Sequence, residues 1–167
     1  MRKTIAVLAS GAAATMLVGG AGLASASARP ASPAVSGTEH IYLMTTERSA
    51  SRYAVIATGL FTAGGTDISG STTDLVKFPG GSFKVHHGGP LHIIKQQVNQ
   101  KTCLAVFEAT TRFTIGNGTG KYKGISGSGK AVIIEQAIAR RTKGACNLNL
   151  NPAVNEQTIT AKAHVKL

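Results

Sequence analysis

The chain has no tryptophan, and aromatic residues make up only 5% of its 167 positions. Sequence-tolerant binding of single-stranded nucleic acid needs rings on which bases stack, and so few do not supply them. Specific nucleic-acid binding is therefore not expected. Cysteine is limited to Cys103 and Cys146. There is no CxxC spacing and no second Cys or His at ligand distance beside either residue, so neither a zinc motif nor a dithiol redox motif is present. Carboxylates are scarce as well, seven against 18 Lys and Arg, for a formal net charge of +11. A chain so short of acids offers few general acids or bases. Internal repeats and blocks of like charge are also missing.

What is present begins with the ends. Met1-Arg2-Lys3 is followed by the charge-free, Ala/Val/Leu-rich run Thr4 to Gly20 and by the small-residue tract Ala24-Ser25-Ala26-Ser27-Ala28. This order reads as a bacterial-type secretory signal peptide over 1–28. Both Ala24-Ser25-Ala26 and Ala26-Ser27-Ala28 meet the small-x-small requirement, and cleavage after Ala28 is favoured. A retained membrane anchor is the rival reading, disfavoured because glycines interrupt the apolar run and no basic stop-transfer segment follows. Removing 28 of the 167 residues leaves 139, enough for one domain with a core, and 16 basic side chains against seven acidic. The protein is expected to be secreted, with no membrane segment after cleavage. In an oxidising compartment Cys103 and Cys146 are expected to form one disulfide.

Residues 29–37 are Pro, Ser, Ala and Gly without periodicity and read as a flexible lead-in, so the domain is expected over 38–167. From there the dominant signal is alternation of period two, the mark of half-buried strands. In Gln157 to Leu167, Ile159, Ala161, Ala163 and Val165 alternate with Thr158, Thr160, Lys162, His164 and Lys166. Similar runs are His40 to Thr46, Arg52 to Thr62, Thr73 to Phe78, Ser82 to His87, Leu91 to Asn99, Lys101 to Ile115 and Lys130 to Arg140. The segment Ala131 to Arg141 carries helix formers but opens Val-Ile-Ile after a glycine turn, and reads as a strand with helix as the alternative. Gly144 to Val154 reads as a long loop pinned by the disulfide. About eight two-faced strands with almost no helix predict an all-β domain, a closed barrel or a sandwich; a single eight-stranded antiparallel barrel fits the length, its interior filled by alternating apolar residues, with any ligand entering at one mouth.

The densest local signal is Ile115 to Lys130, IGNGTGKYKGISGSGK, with Gly116, Gly118, Gly120, Gly124, Gly127 and Gly129. Glycine at this density serves a tight strand-to-strand connection and is poorly tolerated in a helix. The stretch from Phe113 to Gly129, containing GTG-x-Tyr-x-G-x-x-G-x-G, resembles the hairpin of allene oxide cyclase and dirigent β-barrels, and of similar small secreted actinobacterial proteins. The resemblance covers the hairpin and its flanking strands. It implies an eight-stranded antiparallel barrel. Family members include cyclases acting on fatty-acid epoxides, dirigent proteins that orient phenoxy radicals, and bacterial cyclases that close polyketide rings. None of their catalytic residues maps onto this chain.

Several motifs suggest chemistry and read better as structure. Gly124 to Ala131 is one residue from a P-loop, but Ala131 stands where the magnesium-binding hydroxyl belongs, and the segment joins strand to strand rather than strand to helix. His86, His87 and His92 flank the Gly88-Gly89-Pro90 turn. Neighbours in a strand point to opposite faces, so at most one of His86 and His87 joins His92, and a rim or surface position is favoured with no metal expected. His164 should face solvent. Asn117-Gly118-Thr119 is a glycosylation sequon only in a eukaryotic pathway. Two carboxylates lie within apolar strands, Glu108 and Glu135, and desolvation there would raise their pKa values toward general acid or base work. Glu108 shares a face with Thr110 and Arg112 and reads as an outward ion pair. The basic residues look scattered, clustered only at Arg140-Arg141-Thr142-Lys143 and Lys121-Tyr122-Lys123.

The sequence thus leads to a secreted, disulfide-linked barrel without a cofactor, non-enzymatic, that binds a small apolar ligand or an anionic cell-surface polymer. The alternative is an isomerase or cyclase acting on a hydrophobic substrate inside the barrel, with Glu108 or Glu135 as its acid or base. An inward carboxyl beside a roomy apolar cavity favours the second, and a filled interior excludes it.

Overall fold

Strand propensity and alternation dominate the structure. The computed structural model describes residues 34–46 and 51–167. The leader, its cleavage after Ala28 and the first part of the lead-in lie outside them. The strands are β1 (Ser36–Thr45), β2 (Arg52–Gly59), β3 (Ala63–Ile68), β4 (Thr73–Phe78), β5 (Gly81–His86), β6 (His92–Val98), β7 (Leu104–Gly116), β8 (Ser126–Ile138), β9 (Arg140–Thr142), β10 (Ala145–Asn147) and β11 (Val154–Lys166). A single 3-10 turn, Gly120–Tyr122, is the one helical element among the described residues.

All pairings are antiparallel. The main sheet runs β5-β4-β3-β2-β1-β11-β8-β7 and closes on itself where Lys84, Val85 and His86 of β5 meet Gly116, Ile115 and Thr114 of β7. This is a closed eight-stranded barrel, as the alternation predicts. β6 is a ninth strand outside it, paired with the first half of β7. The expected eight therefore had the right number for partly the wrong reason. β6 stood among them, whereas β3 was missed.

Four boundaries also differ from expectation. The run Arg52 to Thr62 is too long, because β2 ends at Gly59 and the turn that follows leads into β3 at Ala63. The region Gly144 to Val154 is not wholly loop, since β10 pairs with β9 to form a small hairpin. β1 starts at Ser36, paired with Lys166, within the stretch read as lead-in. β8 begins at Ser126, so the turn proper is only 117–125 and Gly127 and Gly129 are strand residues. Ala131 to Ile138 is strand and not helix.

The glycine turn is held by backbone contact. A Cβ on Gly118 would sit 1.7 Å from the Tyr122 carbonyl oxygen, and Gly120 has φ +57°. No other residue fits the first position without moving the chain. The turn thereby presses Tyr122 and Ile125 into one end of the barrel, where Tyr122 meets Phe61, Phe78 and Phe83 at ring-centroid distances of 5.1 to 5.8 Å. Edge-on and tilted rings at these distances fill that end. The disulfide Cys103–Cys146 ties the β6–β7 turn to β10.

Candidate functional site

The alternation that builds the wall also determines what lines the interior. On β2 the residues Tyr53, Val55 and Ala57 are buried, and on β4 the inward series is Asp74, Val76 and Phe78. Toward the aromatic end the interior is packed. Toward the other end it opens into a cavity of about 400 Å³. Ile41, Val76, Phe113, Ala131, Ile159 and Ala161 form its apolar wall, while Tyr53, Asp67, Asp74, His87 and Gln157 supply polar groups. The expected filling of the interior by apolar side chains thus holds only toward the aromatic end, because small Ala131 and Ala161 occupy inward positions of β8 and β11 beside the cavity.

Asp67 is the central polar group. It stands directly opposite Tyr53 in the β2–β3 ladder, is 1% exposed, and neither carboxyl oxygen has a hydrogen-bond partner. Burial, then the neighbouring charge of Asp74, push its carboxyl up to about 7, against a smaller opposing pull from His87. Asp74 is bound instead. Its Oδ1 accepts from His87 Nε2 at 2.9 Å and from the Gly70 N–H at 2.9 Å. The Tyr53 hydroxyl donates to Gln157 Oε1, bridging β2 and β11 across β1. Burial and the surrounding acidic groups raise the Tyr53 pKa, so its hydroxyl stays protonated as a donor.

The two carboxylates singled out by sequence are elsewhere. Glu108 lies on the outer face of β7, in register with Lys95 and Ile134, and makes no ion pair among the described residues. The expected ion pair with Arg112 fails because the two stand four positions apart along one strand, roughly 13 Å. Glu135 is on the inner face of β8, in register with Phe107 and Gln157, partly buried, and is not among the residues that line the cavity. Of the histidines, His87 lines the cavity, whereas His86 turns outward to Thr73 Oγ1 at 3.0 Å and His92 is exposed. His164 is exposed on β11. Among the described residues no group of three His, Cys, Asp or Glu is placed to hold a metal ion, and no helix is long and apolar enough to cross a membrane.

Sequence reasoning missed Tyr53, Asp67, Asp74 and Gln157. For three of these a signal existed, since each begins an alternating inward series: Tyr53-Val55-Ala57, Asp74-Val76-Phe78 and Gln157-Ile159-Ala161. Asp67 follows Gly64-Gly65, where missing side chains hide the alternation. A second buried acid, Glu39, is fully enclosed near the aromatic end, its Oε2 accepting the Phe61 N–H at 3.2 Å and its pKa raised by burial. Comparison of the chain with protein families, with curated proteins and with solved structures finds no match.

Proposed function

We propose that the barrel binds a small, mostly apolar molecule carrying one hydrogen-bonding group, its body against Val76, Phe113 and Ile159 and its polar group at Asp67. The observation that carries this reading is the Asp67 carboxyl, buried at an apolar cavity with both oxygens unpartnered. Leaving a buried polar group unmatched costs about 1–3 kcal/mol, more when charged, and a ligand hydroxyl or carbonyl would recover part of it. A cavity of about 400 Å³ is in the range of small-molecule sites. The resemblance of Gly118 to Gly129 to allene oxide cyclase and dirigent hairpins supports the same kind of ligand. The signal-like N-terminus supports action outside the cell.

The same carboxyl favours a second reading, isomerisation or ring closure of a hydrophobic carbonyl compound. A carboxyl with a pKa of about 7 is half protonated at neutral pH and suited to give a proton to a carbonyl oxygen. The Tyr53 hydroxyl, whose one proton is given to Gln157 Oε1, would have to leave that partner to reach the same oxygen. Asp67 here takes the acid–base role that the sequence offered to Glu108 or Glu135.

Native mass spectrometry of the exported protein, beside Ala161→Phe, tests the binding reading. A copurifying mass on the native protein that is absent from the variant, with unchanged circular dichroism, is the expected result. Retention of the ligand by a cavity-filled barrel would place it elsewhere. If Asp67→Asn keeps the ligand unchanged and still converts it, the acid–base reading fails.

A further inference from the structure

The register of the outer wall assembles a feature that the sequence disperses. Arg112 of β7 stands opposite Lys130 of β8, Lys130 opposite Lys162 of β11, and Lys162 opposite His40 of β1. Arg112, Lys130 and Lys162 are exposed on the same outer face. They come from positions 18 and 32 residues apart in the chain, which is why the basic residues look scattered when read in order.

The row has no acidic neighbour. On one side along the strands lie Thr114, Ser128, His164 and Thr38, and on the other Thr110, Val132, Thr160 and Tyr42. Among the described residues no Lys or Arg is in an ion pair, the one such pair being His87 with Asp74. Like charges directly opposite one another in adjacent strands are destabilising. The fold therefore carries a row of cations that nothing within it neutralises.

We propose that this outer face of β7, β8, β11 and β1 is a binding site for a linear, phosphate-bearing polyanion without bases. Adjacent strands are about 4.8 Å apart, so the three cations extend roughly 10 Å across the wall, and His40 carries the row to roughly 14 Å, longer than one phosphate and matched to several along a chain. Shallow depressions flank Lys130 on both sides, one bordered by Arg112 and His86, the other by Lys162 and His164. Tyr42, which is exposed, is the one Phe, Tyr or Trp among the twelve positions of the row and its flanks, so successive nucleobases have a single ring to stack on rather than a series. The row itself lies on the outer face and none of its cations lines the interior cavity, although the depression beside Arg112 shares His87, Gly89 and Phe113 with the cavity lining.

The test is titration of the folded protein with long-chain inorganic polyphosphate across a range of salt, beside oligo-dT and orthophosphate at equal phosphate. The triple variant Arg112→Gln, Lys130→Gln, Lys162→Gln is compared with a charge-matched control, Lys77→Gln, Lys95→Gln, Lys123→Gln. Polyphosphate should bind best. The ladder variant should weaken it at least tenfold and flatten the slope of log affinity against log salt by about 2, as release of counterions from three contacts requires, while the control changes both little. Equal losses in the two triples, tighter binding of oligo-dT, or full competition by orthophosphate overturns the proposal. Lys130→Thr adds an independent readout, because relief of repulsion should raise the melting temperature of the free protein while affinity falls. A drop in both would make Lys130 a structural residue and overturn the proposal as well.

Discussion

Asp67 is where local chemistry departs most from an ordinary side chain. Its carboxyl, pushed by burial from 3.8 up to about 7, holds a proton in the folded chain that the unfolded chain releases between those two values. Stability contributed by this group is therefore complete below about pH 4, falls as pH rises, and is lost above about pH 7. Asp67→Asn keeps the shape and removes the titration, so the variant should gain on the native protein by roughly 2–4 kcal/mol at pH 8 and by much less at pH 5. Urea denaturation at the two pH values measures this, and an equal shift at both would show that Asp67 ionises normally. Glu39, enclosed at the far end, is raised by burial in the same direction. The two acids thus occupy opposite ends of one interior, one among aromatic rings and one at the open cavity.

At the scale of elements, the strands differ in how openly the sequence declares them. β11 alternates without a break from Thr158 to Lys166, and its register with β8 holds over thirteen residues. β3 escapes detection because Gly65 cannot carry a side chain. A Cβ there would lie 2.0 Å from the Lys77 carbonyl oxygen of β4. β6 is apolar enough to read as a wall strand, with Ile93 and Ile94 about half exposed, yet it sits beyond the closure and its register slips between Ile93 and Lys95. A bulge and a lysine on an edge strand oppose pairing with other chains. The β9–β10 hairpin has little core of its own; Arg141 closes it by donating to the Gly144 carbonyl at 2.7 Å, and the Cys103–Cys146 bond together with Arg141's second bond, to the Lys101 carbonyl, attaches it to the β6–β7 turn. Replacing both cysteines by serine opens a loop of 43 residues' separation and should cost up to about 4 kcal/mol. The expected signature is a lower urea midpoint with limited proteolysis confined to residues 140–153, and cleavage within β7 or β8 would contradict it.

Across the whole molecule, charge is sorted by the wall. Glu39, Asp67, Asp74 and Glu135 stand on the inner face, while every Lys and Arg among the described residues is exposed. An unneutralised cationic exterior repels itself, and salt screens that repulsion with a decay length of about 10 Å at 0.1 M. Raising ionic strength from about 0.01 M to about 0.3 M should therefore increase the melting temperature of the ligand-free protein. A decrease would mean that favourable surface pairs dominate. The sequence by itself determined the all-β class, the antiparallel barrel, the glycine hairpin and the cysteine pair, because alternation, turn chemistry and cysteine count are local properties read along the chain. It also pointed to acids within the barrel but chose Glu108 and Glu135, judged from the apolar residues beside them in sequence. Tertiary structure alone decided that Tyr53 faces Asp67, that Gln157 reaches Tyr53 across β1, and that Arg112, Lys130 and Lys162 form a row. The reason is physical: which residues become neighbours depends on the register between strands far apart in the chain, and register is set when the barrel closes.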